Sequence, residues 1–117
     1  MKHFNWDEIP AERVNDSFVR RLAWDGKIMI ARTDVKKGYV VQAHSHDNEQ
    51  ITWVFSGKWR FTLDGKTVDV GPGEMISIPA NTVHGAEAVE TLVAYDIFTP
   101  PREDWLKGED KYLRDPG

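Results

Sequence analysis

From residue 27 onward the chain alternates short apolar runs with turn residues. Trp59, Phe61 and Leu63 alternate with Lys58, Arg60 and Thr62, the period of a strand with one buried face. Asp64-Gly65 follows, a dipeptide that tolerates the positive φ of a tight hairpin turn, and Val68 and Val70 continue the return strand to Gly71-Pro72-Gly73. Upstream, residues 27–31 form a compact apolar run that predicts a strand covered on both faces. Lys36-Lys37-Gly38 is a turn before Tyr39-Val40-Val41. Residues 50–55 are mostly β-branched or aromatic and end at Ser56-Gly57. Met75, Ile76 and Ile78 predict another strand, stopped by Pro79-Ala80-Asn81, and residues 91–98 the last one. Helix is predicted only over residues 100–106, with Thr99 as a possible N-cap and Pro100 in the first position. The charged tail beyond Lys107 has little to bury. Many short strands punctuated by Gly and Pro predict an all-β sandwich or barrel. The expected organisation is a single domain spanning 1–117: an N-terminal arm (1–16), a barrel core (about 17–99), and a C-terminal helix and tail (100–117).

Composition narrows the function classes. At 117 residues the chain suits one hydrophobic core. The net charge of -4, with no stripe of Lys and Arg, argues against nucleic-acid binding. No apolar run approaches membrane-spanning length, and the first residues lack the apolar stretch of a secretory signal. The absence of cysteine excludes disulfides and thiolate metal sites and is compatible with a cytoplasmic location. Any bound metal must be held by nitrogen and oxygen.

The chain has four histidines, His3, His44, His46 and His84. His3, at a terminus, reads as a solvated bystander. His44 and His46 lie in the segment HSHDNEQ, and residues two apart in an extended segment point to one face, so both can converge on one ion. Alone this pair is a weak signal.

An acid in the last strand is a second candidate. Leu92, Ala94 and Phe98 share the face of Asp96, while Val93, Tyr95 and Ile97 form the other face. With both faces apolar, Asp96 reaches water only by pointing into a polar cavity, where its pKa should be raised as a general acid or base requires. The alternative is an Asp paired with Arg or a backbone N–H. Arg102, just beyond, is either a solvated helix residue or an anion clamp, because its planar fork suits carboxylates. Trp53, Phe55, Trp59 and Phe61 read as core or dimer-interface residues rather than a substrate platform, and Phe4 and Trp6 as cover for the barrel or a partner.

Two stretches carry a resemblance. Gly38 to Gln50, followed by Gly57, resembles the first motif of the cupin superfamily. Gly73 to His84, with Pro79 between, resembles the second. In that superfamily the motifs lie on neighbouring strands of a jelly roll, which implies that His84 joins His44 and His46 around a metal. The sequence departs from the pattern at Asn81, where glycine is expected, and at Ala88, where asparagine often stands. The third departure is the oxygen ligand: the usual spacing places it at Gln50, one residue after Glu49. Adjacent strand residues face opposite ways, so only one can face the ion; Thr52 and Val54 share the face of Gln50, which makes Gln50 the expected ligand. Three neutral imidazoles and an amide leave the charge of a divalent ion uncancelled, favouring Lewis-acid chemistry on a carboxylate- or carbonyl-bearing molecule. Nickel, zinc, manganese and iron all accept such a set.

The run Asp96-Ile-Phe98-Thr-Pro100-Pro101-Arg102-Glu103-Asp104-Trp105-Leu106, with Gln50, is similar to the KdgF-type pectin-degradation cupins over most of residues 4–106. That resemblance implies linearisation of 4,5-unsaturated uronates from pectin or alginate, with Asp96 moving the proton and Arg102 holding the uronate carboxylate. By the same resemblance Phe98 would wall the pocket, while Thr52, a small residue on the face of Gln50 that suits a pocket floor, is expected to contribute to substrate binding on its own placement. Two other readings stay open: a non-haem iron dioxygenase and a non-catalytic sugar- or small-ligand-binding cupin. A homodimer with a small-molecule substrate, without nucleic acid or membrane, is the expected working form.

Overall fold

The computed structural model describes residues 1–114. It contains eight antiparallel strands: β1 (Glu12–Asn15), β2 (Phe18–Asp25), β3 (Ile28–Val35), β4 (Val40–His44), β5 (Glu49–Leu63), β6 (Lys66–Val70), β7 (Met75–Ile78) and β8 (His84–Thr99). Two short helices, α1 (Glu103–Leu106) and α2 (Lys111–Arg114), follow. The sheet runs β1-β2-β3-β8-β5-β6, with β4 also paired to β8 and β7 to β5. The two long strands each serve two sheets of a jelly roll. The first half of β5 pairs with β7 and the second half of β8, while its second half pairs with β6 and the first half of β8.

The crossing point explains why Ser56-Gly57 bends a strand instead of ending one. Register shifts interrupt the β5–β8 pairing between Val54 and Trp59. Gly57 has φ 79°, and a Cβ there would press on Thr91 O and lie 2.6 Å from Leu92 Cα, so only glycine lets the two backbones approach. The predicted hairpin is present, with Asp64 at φ 49° and Gly65 at φ 73°. Asn81 takes φ 64°, the left-handed conformation that glycine would otherwise supply there.

Alternation of burial sets the core. On β5, Gln50, Thr52 and Val54 are buried while Glu49, Ile51, Trp53 and Phe55 are exposed. Trp59 and Phe61 join Phe18, Met29, Leu92 and Phe98 in the interior. The four aromatics therefore divide, with two in the core and two, Trp53 and Phe55, on the outer face. Trp6 packs on Tyr95 of the same barrel, ring centroids 5.8 Å apart, while Phe4 stays exposed.

Three more sequence expectations differ from what is observed. Strand β3 is not covered on both faces: Met29 and Ala31 are buried but Ile28 is 54% exposed. Helix α1 starts at Glu103 rather than at Pro100, with no side-chain cap, because a residue before proline avoids the helical region and Pro100 precedes Pro101. Strand β1 and the tail are built into the domain. Leu113 is 2% exposed, and the carboxylate of Asp110 meets Arg20 on β2 at 2.7 Å with both side chains wholly buried. The tail buries an ion pair and one leucine, which no hydrophobic run announces. No helix among the described residues is long and apolar enough to cross a membrane.

Candidate metal centre

His44 ends β4 and His84 begins β8, and the two are directly paired across the strands. His46 lies in the loop beyond, where its carbonyl accepts the Asn81 N–H at 2.7 Å. This pairing brings the ligand atoms of His44, His46 and His84 within 4.8 Å of one another. In each ring Nδ1 faces a backbone carbonyl: that of Gln42 for His44 at 2.8 Å, of Asn48 for His46 at 3.0 Å, and of Thr82 for His84 at 2.8 Å. A carbonyl can only accept, so Nδ1 carries the hydrogen and each Nε2 keeps its lone pair, the arrangement that metal-binding imidazoles need. Burial pushes the pKa of His44 and of His46 down to about 4, and that of His84 in the same direction. The neighbouring Arg102 guanidinium reinforces the shift. The three rings are thus neutral at pH 7, the form that binds a cation.

Gln50 is buried on β5 with its Oε1 3.1 Å from His46 Nε2, while Glu49 is exposed on the opposite face. Behind Gln50 a hydrogen-bonded chain begins. Gln50 Nε2 donates to Thr52 Oγ1 at 2.8 Å, and Thr52 Oγ1 donates to Asp96 Oδ1 at 2.6 Å. The register accounts for it, since Thr52 sits opposite Asp96 and Gln50 opposite Phe98. Thr52 is wholly buried and its hydroxyl is spent inside this chain. Burial raises the Asp96 pKa from 3.8 to about 6, against the lowering effects of Thr52 and Arg102.

Arg102 is 2% exposed, so it is not a solvated helix residue. Its Nε and Nη2 hold the Asp104 carboxylate at 3.0 and 2.8 Å, and Nη2 also donates to the Tyr112 hydroxyl. The guanidinium carbon lies 5.0 Å from the centre of the Phe98 ring and 4.9 Å from that of Trp105, within the range of cation–π attraction. A narrow cavity of about 40 Å³ touches His44, Gln50, His84, Asp96, Phe98, Arg102 and Tyr112. Outside it, a groove of about 440 Å³ is lined by His44, His46, Arg102 and Tyr112 and rimmed by Asp47, Glu103, Asp104 and Glu109. The structure thus brings together His44, His46, His84, Gln50, Asp96, Phe98 and Arg102, with Thr52 behind them.

Sequence reasoning missed two residues. Asn48 ties the histidine loop to the C-terminal segment, donating to Pro100 O at 2.6 Å. Tyr112 stacks on His44, with centroids 4.3 Å apart and planes at 26°. Neither has a periodic or motif signature in the chain.

Residues 31–98 match the model of the cupin domain family. The chain belongs to that family. This cupin is an all-β jelly roll with short C-terminal helices and a set of three histidines positioned for a metal ion. It is similar to the solved structure of KdgF from Halomonas sp., with TM-score 0.83 and 28% identity, covering 90% of this chain and 98% of that one. It is 26% identical over 103 residues to the uncharacterized protein SCO3923 of Streptomyces coelicolor, covering 86% of this chain and 98% of that one. It is also 33% identical over 72 residues to the acireductone dioxygenase of Bacillus licheniformis, covering 56% of this chain and 40% of that protein.

Proposed function

We propose that this cupin is a metal-dependent enzyme acting on a small oxygen-rich acid, and that its reaction is the ring opening of 4,5-unsaturated uronates. The observation that carries the reading is the chain from Gln50 through Thr52 to Asp96. It joins a neutral donor set to a buried acid whose pKa of about 6 lets it take and return a proton near neutrality. His44, His46, His84 and Gln50 would hold the ion, and their Nε2 and Oε1 atoms fit that role. A divalent ion there, with its charge uncancelled, supplies Lewis acidity toward a substrate oxygen.

The remaining work falls to the chain's own groups. Asp96, ionised, accepts the proton of the anomeric hydroxyl as the ring carbon–oxygen bond breaks and an aldehyde forms. The released ring oxygen becomes an enolate at carbon 5, and the proton held by Asp96 returns at carbon 4 to give the ketone. No hydrogen or electron is gained or lost, so no co-substrate is needed. Arg102 offers its remaining Nη1 to the uronate carboxylate, while Phe98 and Trp105 keep water from that side. The similarity to KdgF and the shared closing run from Asp96 to Leu106 support this choice of substrate.

The test follows the ultraviolet absorption of an unsaturated uronate, which disappears when the carbon–carbon double bond is lost. Metal-loaded protein should speed the decay, and Asp96→Asn should lower the rate by about a hundredfold or more. Decay at the buffer rate, or full activity in Asp96→Asn, overturns the assignment. The similarity to acireductone dioxygenase, together with three histidines suited to iron, favours oxygen chemistry as a second reading. Substrate-dependent oxygen uptake by the iron-loaded protein would identify it.

A further inference from the structure

Tyr112 reaches the site from α2, and the residues on either side of it are fixed. Asp110 pairs with Arg20 inside the protein, Arg114 holds Asp110 at 3.0 Å and Glu12 at 2.6 Å, and the Leu113 carbonyl accepts from the Tyr39 hydroxyl at 2.6 Å. Pulling Asp110 off Arg20 would strand a buried charge, so α2 is a wall of the site and not a hinged flap.

The hydrogen accounting at Tyr112 is uneven. A tyrosine hydroxyl has two acceptor lone pairs and one hydrogen. Arg102 Nη2 and Trp105 Nε1, the latter at 2.9 Å, occupy the lone pairs. No described residue accepts the hydrogen. Arg102 is in a matching condition, for Nε and Nη2 are engaged while Nη1 has no hydrogen-bond partner among the described residues. Both side chains line the inner cavity and the outer groove. The two unused donors are therefore neighbours at the junction of the two spaces.

We propose that Tyr112 is a ligand-binding residue of this site, its O–H and the Nη1 of Arg102 together receiving the carboxylate of the bound acid. The ring stacked on His44 fixes how far that carboxylate can advance. The choice of a uronate as ligand rests on the reaction proposed above; the donor pair itself does not.

The experiment measures galacturonate, a saturated acid that cannot react, binding to the zinc-loaded full chain by calorimetry. Tyr112→Phe keeps the ring and its stack but removes the hydroxyl. Its Kd should rise about tenfold, the scale of one hydrogen bond to a charged group, with zinc content and the circular dichroism spectrum unchanged. Independently of any variant's folding, galacturonate should produce a tyrosine difference spectrum in the wild-type protein. An unchanged or tighter Kd in Tyr112→Phe, no difference spectrum, or no galacturonate binding by the wild type each overturns the proposal. Hydroxyl-dependent binding without consumption of unsaturated uronate would sink the reaction and leave Tyr112 standing; turnover with unchanged Tyr112→Phe affinity would do the reverse.

Discussion

Replacing Asp96 by asparagine should stabilise the protein at the pH where it removes activity. Burial raises the Asp96 pKa from 3.8 to about 6, so the folded state binds this proton more tightly than the unfolded state does. The stability this group contributes is fully present below pH 3.8 and is lost as the pH rises through about 6, where folding must keep a buried carboxylate ionised. A shift of roughly two units is worth about 3 kcal/mol, and for a chain of this size that is about 10 °C in Tm. The asparagine side chain would keep the oxygen that accepts from Thr52 and carry no charge. The assay is thermal unfolding of metal-free wild type and Asp96→Asn at pH 8 and at pH 4, metal being removed so that only protein groups act on the carboxyl. The variant should melt about 10 °C higher at pH 8, with most of the gain gone at pH 4. The histidines titrate alike in both proteins and cancel in the difference. A variant less stable than wild type at pH 8, or a difference independent of pH, would refute the claim that Asp96 is held ionised at a cost.

Three further outcomes test other parts of the structure. Gln50→Ala should weaken zinc binding at least about tenfold, whereas Gln50→Glu should tighten it by cancelling one charge and slow turnover; equal affinities across the series in a chelator competition would remove Gln50 from the ligand set. Gly57→Ala should cost about 3 kcal/mol or more in urea unfolding, since it meets both a positive φ and the β8 backbone, and a cost under about 1 kcal/mol would mean the strands can part there. The outer face that carries Trp53, Phe55 and Met75, 40%, 59% and 65% exposed, is proposed as a dimer contact; sedimentation velocity should give a dimer that Phe55→Glu dissociates, and a monomeric wild type at micromolar concentration ends that reading.

Legibility in the sequence followed the range of the interaction. The alternation that turns Gln50, Thr52 and Val54 inward and Glu49 outward is a period-two signal within one strand, and it was readable. So was the inward placing of Asp96 among Leu92, Ala94 and Phe98. The continuity of β5 through Gly57 was not, because a glycine that ends a strand and one that bends it look the same until the crossing strand is known. Nor was the role of the tail. Its four-residue helix is too short to show a helical period, and what holds it is a pair of charges ninety residues apart. Charged residues in a tail read as solvated unless a partner is visible, and Arg20 gives no local sign that it is one.

Glutamine at position 50 answers two demands that glutamate could not meet together. Thr52 has one hydrogen to give, and Asp96 takes it at 2.6 Å. The Thr52 oxygen then needs a donor, and Gln50 Nε2 supplies it at 2.8 Å. That bond settles the orientation of the amide and turns Oε1 toward His46 Nε2. A glutamate here has no hydrogen to offer at neutral pH. Thr52 would face two carboxylates with a single proton, and the added negative charge would push the Asp96 pKa further up. In the proposed reaction the neutral amide would serve the ion and the acid at once: it would leave a bound ion's charge free to act on substrate oxygen, and it would leave Asp96 ionised over most of the neutral range. The electrostatic character of the site and the proposed proton chemistry would follow from the same side chain.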